Sequence, residues 1–110
     1  MAKSFDFNKI KPKTMNVTLS DENKTVISVM TPDKKLRDDL VTLFENVDEF
    51  DEDEIDEGLY DLSARVMSRN KQGIEITSKQ LRELYPDQEY VIAFLNAYIE
   101  FISEFTNSKN

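Results

Sequence analysis

Residues 14–44, TMNVTLSDENKTVISVMTPDKKLRDDLVTLF, change their hydrophobic period partway along, and that change decides the fold. TMNVTLS alternates, placing Met15, Val17 and Leu19 on one face of a strand. The polar run DENK follows, and TVISVM then supplies β-branched residues at Thr25, Val26, Ile27 and Val29. A β-hairpin with a four-residue loop is expected, its turn type unset because no Asn-Gly or Asp-Gly pair is present. Thr31 and Pro32 read as N-cap and first helical residue, since threonine can accept a bond from an orphan N–H and proline has none to lose. Beyond them Leu36, Leu40, Leu43, Phe44 and Val47 recur at helical spacing, one apolar stripe turned toward a core.

Working outward, Ile55, Leu59, Leu62 and Val66 predict a second helix, with Arg65, Arg69 and Lys71 where cations suit its dipole and Gly73 as its stop. Ile74 and Ile76 flank Glu75 in a short extended link. TSKQ, with Thr77 as cap and Gln80 three residues on, predicts a capping box opening a third helix over residues 78–85, ended by Pro86. Asp87 caps a fourth and longest helix reaching about Thr106. The expected class is α+β, mainly α: an N-terminal β-hairpin packed on a bundle of about four helices. Residues 1–13 form a basic arm, residues 14–106 a single domain and residues 107–110 a tail.

A chain of 110 residues buries roughly two-thirds of its unfolded surface, enough for one core without crosslinks. With no cysteine and no histidine, disulfides, thiolate metal sites and the usual neutral-pH acid/base are excluded. No apolar run approaches the ~18 residues of a membrane span, and residues 1–13 lack the apolar segment of a signal peptide. A cytoplasmic protein without membrane contact is expected. A net charge of −8 opposes phosphate backbones, so nucleic-acid binding is not expected. The charge is also unevenly placed: residues 38–64 hold twelve acids and no base, leaving ten acids against fourteen bases elsewhere. A segment at −12 against a remainder at +4 favours internal pairing or head-to-tail contact between copies.

Residues 47–61, VDEFDEDEIDEGLYD, carry nine carboxylates. Read as a calcium loop from Asp51, they put Ile55 at position 5, Asp56 at position 6 and Leu62 at position 12, where an oxygen ligand, glycine and glutamate are needed. Starts at Asp53 or Asp48 fail sooner, with Ile55 or Phe50 at position 3. No spacing here implies the cleft that paired carboxylates need for acid–base work. No catalytic, cofactor-binding or metal-ligating residue is therefore expected. Two readings remain, a phosphate-mimicking acidic surface and a solvated helix start, and the second has precedence because carboxylates suit the positive end of a helix.

At ~100° per residue the apolar positions of residues 87–106 cover roughly 200°, about twice the stripe one core contact hides. The arc divides by chemistry. Val91, Ile92, Leu95, Ile99 and Ile102 make an aliphatic half expected to face the core; Tyr90, Phe94, Tyr98, Phe101 and Phe105 make an aromatic ridge expected to face a partner or a sister subunit. Burial of that ridge in a homo-oligomer competes with burial inside a monomer.

The run FDFNKIKPKTMNVTLSDENKTVISVMTPDKKLRDDL (residues 5–40), followed by an acidic helical body, resembles the small tail assembly chaperones of long-tailed phages and prophages. The resemblance implies a non-enzymatic protein of the bacterial host cytoplasm that oligomerises, coats the tape measure protein and brings tail-tube subunits to it. It carries over no individual site residue. That family makes a longer product by frameshifting near the end of the short form, and Ser108, Lys109 and Asn110 are compatible with a slippery run of adenines. The alternative is an inhibitor of a basic protein, working through residues 48–61 as a nucleic-acid mimic.

Overall fold

A computed structural model describes residues 3–10 and 12–107, with side chains as far as residue 104. The expected tail, the frameshift reading at residues 108–110 and the side chain of Phe105 lie outside the described residues. The chain is an antiparallel hairpin, β1 (Thr14–Thr18) and β2 (Val26–Met30), followed by four helices, α1 (Lys34–Glu45), α2 (Glu52–Ser68), α3 (Ser78–Leu84) and α4 (Gln88–Asn107). Single 3-10 turns stand before the hairpin at Phe7–Lys9 and between α1 and α2 at Val47–Glu49. The α+β, mainly α architecture is the one the hydrophobic periods imply.

The hairpin pairs Met15 with Val29 and Val17 with Ile27. Ile27, Val29 and Leu19 are buried, and Met15 and Val17 pack against them. The loop is one residue longer than expected, residues 20–24, because Leu19 N–H still donates to the Thr25 carbonyl at 2.8 Å. Its turn is closed by Asp21, whose carboxylate accepts from Thr25 N–H (2.8 Å) and the Thr25 hydroxyl (2.6 Å), bonds that hold this carboxyl below its usual range. Lys24 takes the left-handed conformation there, with φ of 49°.

The start of α1 departs from the expected Thr31–Pro32 cap. Asp33 is the N-cap, its carboxylate accepting from Leu36 N–H at 2.9 Å. Thr31 serves instead through its carbonyl, which accepts from Arg69 Nε at 3.1 Å, and Pro32 is buried between strand and helix. The apolar stripe of α1 ends at Phe44, because the helix stops at Glu45 and Val47 enters the 3-10 turn, exposed.

Helix α2 is the hub, packing against α1, α3, α4 and β2. Leu59, Tyr60, Leu62, Ser63, Ala64, Val66 and Met67 are buried, so its second half is enclosed on most sides. Gly58 lets α1 approach: a Cβ there would sit 3.2 Å from Leu43 Cδ1. The Ser63 hydroxyl is buried with no hydrogen-bond partner.

Gly73 does not stop α2. The helix ends at Ser68, and Arg69 to Lys71 run along the free edge of β2 instead: Met30 N–H donates to the Arg69 carbonyl (2.8 Å) and Lys71 N–H to the Ser28 carbonyl (3.0 Å). Asn70 makes this turn possible. Its side-chain amide donates to the Met67 and Ile74 carbonyls, both at 2.7 Å, and its oxygen accepts from Ile74 N–H, satisfying backbone groups that a buried helix end would leave orphaned. Gly73, at φ +71°, then reverses the chain toward Ile76, which is buried. Thr77 and Gln80 form the expected capping box on α3.

Candidate interaction surfaces

Helix α4 meets the body along a narrow seam. Val91, Leu95 and Tyr98 are buried; Phe94 and Phe101 on one flank, Ile92 and Ile99 on the other, and Ile102 in line with the seam toward the helix end are half-buried. Tyr98 therefore differs from the rest of the aromatic ridge. Seven residues from Val91 at ~100° each leaves it about 20° from the seam's centre, at the border of the two halves, and it falls inside. Its ring is 0% exposed and its hydroxyl donates to the Met30 carbonyl at 2.7 Å, joining α4 to the end of β2. Burial pushes that phenol far above its ordinary pKa.

The other ridge residues lean on this anchor. Phe94 stacks on Tyr98 with ring centres 6.3 Å apart, and Phe101 lies 6.1 Å away on the other side. Tyr90 is 58% exposed at the helix start, 5.5 Å from the ring of Tyr85. Tyr85 in turn ties α3 to the hairpin loop: its hydroxyl accepts from Ser20 N–H at 2.9 Å and donates to Ser20 Oγ at 3.0 Å. The aromatic side of α4 thus offers half-covered rings over a fixed base.

On the aliphatic side, α1 and α4 leave a groove of about 310 Å³ walled by Leu40, Val41, Phe44, Ile99 and Ile102, with Arg37, Glu45 and Ser103 as its polar lining. Val41 is 47% exposed there. The sequence signal for this groove was weak. Leu40 and Phe44 read as core stripe, and Val41, one position off that stripe, looks like an isolated surface residue until α4 is placed beside it.

The acidic segment is divided among several jobs. Asp51 caps α2 and forms a reciprocal box with Glu54, each side chain accepting from the other residue's N–H at 2.8 and 3.0 Å. Asp56 accepts from Gln88 of α4 (3.1 Å) and pairs with Arg82 of α3 (2.8 Å), while the Arg82 guanidinium lies 4.2 Å from the Tyr60 ring centre. Burial, then the Asp56 charge, raises the Tyr60 phenol pKa. Asp39 of α1 meets Arg65 of α2 at 2.8 Å, a bond that lowers the Asp39 pKa; Asp61 stands 3.8 Å from the same guanidinium. Asp48, Glu49, Glu52 and Asp53 are exposed, and among the described residues no ion pair of the fold reaches them.

An open hollow of about 590 Å³ lies between α1, α2 and α3, floored by Leu43, Phe50 and Leu62 and walled by Asp39, Glu54, Glu57, Asp61, Arg65 and Arg82. Among the described residues no three acidic groups converge as a metal site would require. No described helix is long and apolar enough to cross a membrane. Neither protein-family models, curated proteins nor solved structures give a match to this chain.

Proposed function

We propose that this protein is a non-enzymatic tail assembly chaperone of a long-tailed phage or prophage, acting in the bacterial host cytoplasm. It self-associates, holds the tape measure protein and helps to recruit tail-tube subunits. One observation carries the reading. Helix α4 is attached by a narrow seam and leaves apolar flanks on both sides half-covered, a surface suited to an elongated apolar partner rather than to a small substrate. Phe94 and Phe101 are the proposed contacts, with Tyr90 extending them and Tyr98 supporting them from beneath. The resemblance of residues 5–40 supplies the class of partner.

Co-expression with the tape measure protein encoded in the same tail gene cluster tests this reading. The partner is expected to become soluble and to co-purify, and Phe101→Ser is expected to reduce that yield more than it shifts the melting profile. A tape measure protein equally insoluble with and without this chain would sink the proposal. Reading the gene across its stop codon for a slippery heptamer and an overlapping frame tests the family independently. The second reading, a nucleic-acid mimic, draws on the exposed carboxylates at Asp48, Glu49, Glu52 and Asp53. It predicts salt-sensitive capture of a basic protein, lost when those four are changed to amides.

A further inference from the structure

The described residues of the arm before the hairpin, 3–10, are locally folded although all are exposed. Asp6 accepts from Asn8 N–H (2.9 Å) and from the Asn8 side-chain amide (3.0 Å), and Lys9 N–H and Ile10 N–H close the 3-10 turn onto the Asp6 and Phe7 carbonyls. That turn brings Phe5 and Phe7 edge to face, 4.6 Å between ring centres. Both rings face water, Phe5 at 69% and Phe7 at 78% exposure, and every residue from 3 to 10 is exposed. An aromatic pair pre-formed on a projecting turn is what a peptide ligand needs: large apolar area whose ordering cost is already met.

We propose that this aromatic turn of one copy docks in the groove between α1 and α4 of a second copy. Three features of the molecule favour that occupant. The groove wall is apolar, formed mainly by Val41, Phe44, Ile99 and Ile102, and it matches two phenyl rings in chemistry. The charges are complementary beyond the groove's own lining, where Arg37 and Glu45 balance: residues 1–13 carry four lysines against one acid, and Asp48 and Glu49 follow α1 directly. Finally, within one protomer the turn packs on itself rather than on its own groove. Each copy has one arm and one groove, so the exchange can be reciprocal and close a pair. The proposal deepens the self-association included in the functional reading but does not require the tape measure protein.

Sedimentation velocity on the full chain tests it, with thermal unfolding alongside. Phe5→Ser/Phe7→Ser removes the ligand. Val41→Lys puts a cation into the groove while keeping helix α1 favourable between Asp38 and Glu45. Each is expected to raise the dissociation constant of the pair about thirtyfold or more with the melting profile unchanged. Mixing the two variants, one with an intact groove and the other with an intact arm, is expected to restore a pair that neither forms alone. Added salt is expected to weaken the wild-type pair.

A wild-type chain that stays monomeric, or an arm variant that pairs as wild type does, overturns the proposal. So does loss of pairing in Val41→Lys alone, which would mean that another face covers the groove, or a lowered melting temperature in the arm variant without loss of pairing, which would place the arm in its own groove. If the arm variant loses pairing but still solubilises the tape measure protein, exchange stands apart from chaperone activity. If pairing behaves as expected and the tape measure protein is not held, only the chaperone reading fails.

Discussion

Phe5 and Phe7 on the arm and Tyr98 with Phe101 on α4 are two aromatic groups of similar composition and opposite fate. The arm pair is exposed and held only by its own turn; the α4 group surrounds a ring wholly enclosed and bonded to Met30. The difference lies in what surrounds each. Tyr98 sits on a twenty-residue helix whose seam buries Val91 and Leu95 beside it, so its position is determined many times over. The described arm residues 3–10 are all exposed, and the two rings meet each other across a single 3-10 turn. Aromatic content alone therefore does not separate core from contact surface; the number of independent elements fixing each ring does.

The largest effect expected within this comparison is at the seam. Leu95→Ser removes a buried side chain and leaves a hydroxyl in its place, and should cost about 3–5 kcal/mol in denaturant unfolding. Phe101→Ser, half-buried on the flank, should cost about 1–2 kcal/mol, because only part of a ring's burial is lost. Equal, severe losses for both would show that the flank is ordinary core and remove the reason for placing a partner there.

Deleting one oxygen at two buried sites should give opposite signs. Tyr98→Phe orphans the Met30 carbonyl and should destabilise by about 1–2 kcal/mol, whereas Ser63→Ala removes a hydroxyl that has no partner and should stabilise by about 1 kcal/mol. Tyr98 also sets an alkaline limit. Its folded pKa is raised above the ordinary value of 10.0, so above that pH the unfolded chain loses the phenolic proton first and binds fewer protons than the folded one. The contribution is full below pH 10 and falls as pH rises beyond it. Unfolding measured from pH 9 to 11 should show that decline, shallower in Tyr98→Phe; an unchanged slope would mean that Tyr60, whose pKa is also raised, dominates.

The smallest effect belongs to the arm. Phe5→Ser/Phe7→Ser should change monomer stability by less than about 0.5 kcal/mol, since neither ring is covered. A larger loss would mean that the arm packs on its own body.

The sequence by itself determined the elements. Alternation at Met15, Val17 and Leu19, helical spacing from Leu36 to Phe44, and the Thr77–Gln80 box are local patterns, set by residues within a few positions of one another, and the structure follows them. It also made the acidic junction readable as a helix start, because Asp51 and Glu54 satisfy N–H groups of their own turn. What only the tertiary structure decided are choices between competing partners. Asp33 displaced Thr31 as the cap while the Thr31 carbonyl went to Arg69, thirty-eight residues away. Asn70 ended α2 early because its backbone could pair with β2, and Tyr98, which helical phase leaves at the border of ridge and seam, falls inside, where its hydroxyl bonds a carbonyl of β2. The groove beside Val41 exists only because α1 and α4 both lean on α2 and leave a gap between them. Each depends on bonds or packing between distant segments, whose energy is invisible to a local pattern and appears only once the helices are set side by side.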